Sequence, residues 1–256
     1  MEKIINLRIP HIGEKIFGNL ETQGLGQCLE VSQTWKILAK NVINRKGKMF
    51  DACSNGNTAV VKLLLKHYNS EESGLNAKAK YDFTPFMEAC YHGHKDVVQL
   101  LLDYPNGNID FNARTDYTHT AFMLACGNGH TEVVKILWKH PKIDVYLKCG
   151  FGNTGFMMAC EEGHKDVVKF FFDQTDRNID FNARNTWNMT AFYEACTKGH
   201  KDVVKLFFEN SEKGKIDFED LNVWTGYHWA RKWENEDLAQ FIVDYLRAIG
   251  ELSDSE

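Results

Sequence analysis

Between Thr84 and Leu102 the apolar side chains fall in two short runs of helical spacing. Phe86, Ala89 and Cys90 stand three and four apart, Gly93 interrupts, and Val97, Val98, Leu101 and Leu102 resume the same steps. Such spacing puts each run on one face of a helix, so the segment predicts a helix pair. Thr84 is placed to cap the first helix, and Pro85 follows at its first position, where a missing N–H costs nothing. Gly93 permits the tight link.

The same pattern returns along the chain. TPFMEACYHGHKDVVQLLLD begins at Thr84, TAFMLACGNGHTEVVKILWK at Thr120, TGFMMACEEGHKDVVKFFFD at Thr154 and TAFYEACTKGHKDVVKLFFE at Thr190, in steps of 36, 34 and 36 residues. A weaker copy starts 35 residues later at Thr225, and an opening copy, MFDACSNGNTAVVKLLLK, starts at Met49. About six units result, with divergent outer ones, as expected where an end meets solvent or another neighbour. The connecting segments, such as IDFNARTDYTHT, alternate apolar and polar residues around turn formers and predict short extended hairpins.

These units resemble ankyrin repeats, whose T-P-L-H-x-A, G-H, V-V and L-L pattern they follow over about three-quarters of the chain. Of the positions after the capping threonines only one, Pro85, is the family's proline, and Met87, Met123, Met157 and Tyr193 replace the family's first histidine, a loss expected to loosen the stack slightly. The resemblance implies that residues just before each capping threonine point from the hairpin into a concave face. There the third residue before the threonine is Tyr81, Tyr117, Phe151 and Trp187, then Asn222, while a second column adds Phe83, His119, Met189 and Trp224. Side chains of these types are enriched at interface cores, so the strip is expected to hold a partner's apolar segment. Glu88, Glu161 and Glu194, at first-helix positions expected to be exposed, would add an acidic wall that favours a basic element.

The first 45 residues carry two further stripes. Ile9, Ile12, Ile16 and Leu20 form one, opened by Pro10; Cys28, Val31, Trp35, Leu38 and Val42 form the other, with Gly24 and Gly26 between them. The order Ile9-Pro10, Ile16-Phe17, Leu20, Leu25, Cys28, Val31-Ser32, Trp35 and Leu38 resembles an F-box, with Ile9 for the usual leucine. F-box proteins dock on the Skp adaptor of a cullin–RING ubiquitin ligase. The resemblance implies that Ile9, Pro10, Ile12, Ile16, Phe17, Leu20, Leu25, Cys28, Val31 and Trp35 meet the adaptor. As a bare end cap, the same helices would only shield the first repeat. No Gly/Ser/Pro-rich linker separates them from the repeats, so the junction is expected to be stiff.

Composition narrows the classes. The hydrophobic share of 43% over 256 residues supports a sizeable core. A net charge of -5 with scattered Lys and Arg offers no cationic face for nucleic acid. No stretch is long and apolar enough to cross a bilayer. Seven cysteines are too sparse for a disulfide scaffold, and five of them, Cys53, Cys90, Cys126, Cys160 and Cys196, recur with the repeat. A cytoplasmic location is expected, with the nucleus also open.

Chemistry finds little support. Cys160 and His164 typify a repeated Cys-x-x-Gly-His, but a zinc site needs four converging ligands, and each pair belongs to its own repeat. No nucleophile elbow or phosphate loop occurs. Lys95-Asp96, Lys165-Asp166 and Lys201-Asp202 recur in step and read as solvated helix starts. Phe170 to Phe172 occupy the family's leucine positions and read as core. The tail ELSDSE offers Ser253 and Ser255 to phosphorylation, and Asn76, Asn112 and Asn182 lie where some ankyrin proteins are hydroxylated.

The expected architecture is thus an all-α ankyrin-repeat solenoid, helix pairs joined by short β-hairpin loops, at 46–250. It would follow a three-helix F-box at 1–45 and precede an acidic tail at 251–256. The expected role is that of a non-catalytic substrate receptor of an SCF-type ubiquitin ligase, a monomer within a hetero-complex, without cofactor, metal, nucleic acid or membrane. The rival is an ankyrin scaffold or masking protein unconnected with ubiquitin, and only the first 45 residues separate the two.

Overall fold

The computed structural model describes residues 48–67, 74–105, 108–174, 177–212, 216 and 223–251. The F-box-like segment, residues 1–45, therefore lies outside the described residues, as do Asn222 and the last five residues. The described residues form twelve α-helices in six consecutive pairs. These are α1 (Lys48–Ser54) and α2 (Thr58–His67), α3 (Pro85–Tyr91) and α4 (Lys95–Leu102), α5 (Ala121–Gly127) and α6 (Thr131–Lys139). They continue with α7 (Gly155–Glu161) and α8 (Lys165–Asp173), α9 (Ala191–Lys198) and α10 (Lys201–Glu212), and α11 (Val223–Lys232) and α12 (Glu236–Ala248). The chain divides into two compact units between Asp116 and Tyr117.

Each helix pair starts as its residues require. The hydroxyls of Thr84, Thr120, Thr154 and Thr190 accept the N–H of Met87, Met123, Met157 and Tyr193 at 3.3, 3.4, 3.2 and 3.4 Å, so all four threonines are equivalent N-caps. The side chains that replace the family histidine are buried. The last pair departs from this rule: Thr225 lies inside α11, which begins at Val223. Val223 and Trp224 are poor turn formers, so the helix runs through them.

In the first unit α3 packs on α1, and α4 on α2. In the second, α7 packs between α5 and α9, α9 also meets α11, and α8 meets α6 and α10. The buried faces of α7 to α10 are filled with phenylalanine. The Phe156 ring lies 5.3 Å from Phe171, 5.5 Å from Phe172, 5.1 Å from Phe181 and 5.8 Å from Phe207, mostly edge to face. Each such side chain withdrawn from water contributes about 1.5–3 kcal/mol. Phe171 and Phe172 are core as expected, whereas Phe170 is half-buried.

The histidines after the glycine links do more than fix their own turn. The Nε2 of His94 bonds the Ser54 carbonyl at 2.8 Å, that of His164 the Gly127 carbonyl at 2.9 Å, and that of His200 the Glu161 carbonyl at 2.8 Å. Each ties its helix pair to the one before. The Lys-Asp helix starts also reach across, Lys165 to Asp202 at 3.4 Å and Lys201 to Asp237 at 3.0 Å.

The expected β-hairpins are realised only as turns, with no strand among the described residues. One outer backbone bond closes each of three tips, from Ala79 N–H to Phe83 C=O, Cys149 to Asn153 and Asn185 to Met189, at 2.9, 2.9 and 3.0 Å. A single rung between arms this short does not make a ladder.

Candidate protein-binding surface

The hairpin tips are built around aromatic side chains. In three of them the aromatic residue stands third in a four-residue turn. The turns are Ala79–Asp82 around Tyr81, Cys149–Gly152 around Phe151, and Asn185–Asn188 around Trp187, closed by N–H to C=O bonds of 3.1, 2.8 and 3.0 Å. The fourth residue of each takes a positive φ: 60° at Asp82, 80° at Gly152 and 60° at Asn188. A side chain at the apex of such a turn has no layer above it. Tyr81, Tyr117, Phe151 and Trp187 are accordingly 46%, 57%, 48% and 60% exposed. Phe83, His119 and Met189, the second column, are half-buried. Tyr81 and Phe83 belong to the first unit, and the remaining strip residues to the second.

Neighbouring tips within a unit are joined. In the first unit the Asp116 N–H donates to the Tyr81 carbonyl at 3.1 Å. In the second, Gly150 N–H donates to the Thr118 hydroxyl, and both the backbone N–H and the hydroxyl of Thr186 donate to the Phe151 carbonyl, at 2.9 and 3.0 Å. The result at the outer face is a stacked pair, Phe151 on Trp187, with ring centroids 5.0 Å apart and planes 24° from parallel. Tyr117 and His119 also stack, at 6.4 Å and 29°. Burial lowers the proton affinity of the His119 imidazole below its usual value.

Asn185 organises the Trp187 tip. Its buried side-chain oxygen accepts the N–H groups of Trp187 and Met189 at 3.0 and 2.9 Å, and its amide donates to Asn153 at 2.9 Å and to a Glu194 carboxylate oxygen at 3.2 Å. Sequence reasoning passed over Asn185, Asn153, Thr118 and Thr186. Their only sequence signal is a polar residue five, four, two or one places before the capping threonine.

The three glutamates are less exposed than expected. Glu88 keeps 14% of its side chain in water and pairs with His92 at 3.2 Å, and Glu161 keeps 30%, with Lys198 at 3.9 Å. First-helix side chains lean back over their own turn, which covers these carboxylates. Desolvation, together with the Glu161 charge, raises the Glu194 carboxyl above its ordinary range, against the lowering effect of Asn185 and Lys198.

Trp224 lies elsewhere than expected. It projects from the start of α11 rather than from a hairpin tip and meets Tyr227 edge-on at 5.7 Å. The ten F-box-like positions from Ile9 to Trp35 lie outside the described residues. Among the described residues no group of three His, Cys, Asp or Glu side chains could hold a metal ion, and no helix is long and apolar enough to cross a membrane. Cys53, Cys90, Cys126, Cys160 and Cys196 are fully buried, and desolvation raises each thiol well above its usual value.

A family model of ankyrin repeats, in three copies, matches residues 36–115, 106–185 and 156–251. The chain belongs to the ankyrin-repeat family. Comparison with curated proteins gave no match. Ankyrin repeats are protein-interaction modules, so the partners of this ankyrin protein are proteins. Its hairpin tips, apolar at the apex and tied at the base, offer the features of an interface core.

Proposed function

We propose that this ankyrin protein is the substrate-recognition subunit of an SCF-type ubiquitin ligase. The observation that supports the recognition role is the exposed, stacked Phe151–Trp187 pair on tied hairpin tips. Large rigid rings held outward in water have no role in the repeat's own core and lose little conformational entropy when a partner covers them. In this reading Tyr81, Phe83 and Glu88 of the first unit, and Tyr117, His119, Phe151, Glu161, Trp187, Met189, Glu194 and Trp224 of the second, bind the substrate.

The link to ubiquitin is supported by the F-box-like order from Ile9-Pro10 to Trp35 and Leu38. In this reading those residues dock on the Skp adaptor, and the ankyrin repeats hold a protein target near the loaded conjugating enzyme. Catalysis then belongs to other subunits, and this chain raises the effective concentration of the target's lysines.

Pull-down with the Skp adaptor tests the reading, comparing the full chain, a chain lacking residues 1–44, and the full chain carrying Pro10→Ala with Leu20→Ala. Adaptor recovery is expected with the intact chain alone. Equal recovery by all three, or by none, would leave an ankyrin scaffold or masking protein. Separately, Tyr117→Ala with Trp187→Ala is expected to abolish recovery of protein partners from cells; unchanged recovery would remove the strip from the account.

A further inference from the structure

The chemistry of the strip's occupant follows from what surrounds its best-formed part, on the premise that the strip is a binding surface. We propose that the Phe151–Trp187 plate, with Glu194 held toward it through Asn185, receives an arginine side chain from a basic segment of the partner protein.

The plate itself carries the argument. Two rings stacked 5.0 Å apart and about half exposed present a flat π surface to solvent. Guanidinium is planar, weakly hydrated and stacks on such faces. The plate is also stiff, because Thr186 ties the Trp187 turn to the Phe151 carbonyl twice and Asn185 holds the turn from below. A stiff acceptor needs no ordering when the ligand arrives.

Charge decides between a cation and a plain apolar side chain. Asn185 bridges the Trp187 backbone and the Glu194 carboxylate, which places an acid one side chain away from the plate. Asn185 engages one Glu194 oxygen. Desolvation first, and the Glu161 charge second, raises the proton affinity of Glu194, so a cation brought to that carboxylate is favoured. The nearby cations offset part of this field, Lys198 acting on Glu194 less strongly than Glu161 does. Lys198 pairs with Glu161 at 3.9 Å, Arg184 donates to the Asn188 carbonyl at 3.1 Å, and Lys148 lines a separate cavity with Tyr146, Asn178 and Asp180. A planar donor fork can stack on the rings and meet a carboxylate edge at once, which an ammonium cannot do.

Selection of short random peptides on the full-length protein tests the assignment, with Trp187→Ala, Trp187→Phe and Glu161→Gln/Glu194→Gln chains screened in parallel. Peptides that bind the wild type but not Trp187→Ala are expected to be enriched in arginine above its library frequency. They should bind Trp187→Phe, and bind the double Gln chain about tenfold more weakly. Lysine at the same place should bind less well than arginine. Trp187-dependent peptides that are acidic, or uncharged and apolar, would overturn the arginine assignment and leave the binding surface intact. Peptides indifferent to Trp187→Ala, or no Trp187-dependent peptide at all, would overturn both. Unchanged urea midpoints for the variants show that loss of binding is not loss of fold.

Discussion

The His164 ring lies against Gly129, so close that a Cβ on that glycine would stand 2.5 Å from the ring Nδ1, while the ring's Nε2–H reaches the Gly127 carbonyl at 2.9 Å. Two residues of the repeat pattern that look like separate turn signals are thus one inter-repeat joint. Gly129 serves it twice, by its φ of 72° and by its missing side chain. The joint recurs between Gly56 and His94 and between Gly163 and His200, and Asn235 takes the histidine's place over Gly199.

Gly129→Ala should therefore cost about 2 kcal/mol or more, from backbone strain together with the clash. His164→Ala should cost about 1–3 kcal/mol, because the Gly127 carbonyl loses its partner. Urea denaturation of each variant checks both values, and a change below the error of the midpoint would deny the joint.

Thr120 is buried and accepts the Met123 N–H, so Thr120→Ala should destabilise by about 1 kcal/mol. Thr120→Ser keeps the acceptor and should recover most of the loss. Equal midpoints for Ala and Ser would show that the hydroxyl does not cap.

Glu194 carries a pH dependence whose sign is set by its raised proton affinity. A carboxyl bound more tightly by protons in the folded state favours folding below its unfolded value, and this contribution is lost as pH rises through the folded value. Glu194→Gln, whose amide oxygen can still accept from Asn185, should therefore be more stable than wild type near neutrality, by about 0.5 kcal/mol. The gain should vanish in acid below the ordinary carboxyl range. Unfolding midpoints across pH read the difference, and a gain that grew in acid would contradict the assignment.

The buried thiols of Cys90, Cys126, Cys160 and Cys196 should resist alkylation in the native protein and react only as the chain opens. Peptide mapping after iodoacetamide treatment reads each position separately. Fast labelling of Cys160 in the native state would mean that the repeat stack opens freely.

Trp187→Ala should leave stability within about 0.5 kcal/mol of wild type, because the ring is 60% exposed and its turn is held by backbone and Asn185 bonds. Thermal unfolding checks this. A large loss would make Trp187 a structural residue of the tips.

Several of these features were legible from residue order. The capping threonines, the cysteine column and the glycine links repeat in register, and each has a requirement inside its own helix pair, so local periodicity reveals them. The histidine joints were visible as residues but not as contacts, because the partner carbonyl lies 37 positions away at Gly127 and 39 away at Glu161. The part played by Asn185 was hidden for a similar reason: four hydrogen bonds converge on one amide only after three loop and helix segments come together. Trp224 misled the alignment because a column of equivalent positions assumes equivalent helix starts, and α11 begins earlier.

Residue order alone determined the helix pairs, the starts of the four central ones and their family, since a 3.6-residue apolar period, a capping hydroxyl and a glycine at positive φ are each satisfied within a few residues of chain. Tertiary structure alone decided which aromatic side chains are exposed at the tips, how far the glutamates sink, and which polar side chains hold the tips together. Those outcomes depend on how much neighbouring surface each group meets after the repeats have stacked, a quantity that no single repeat contains.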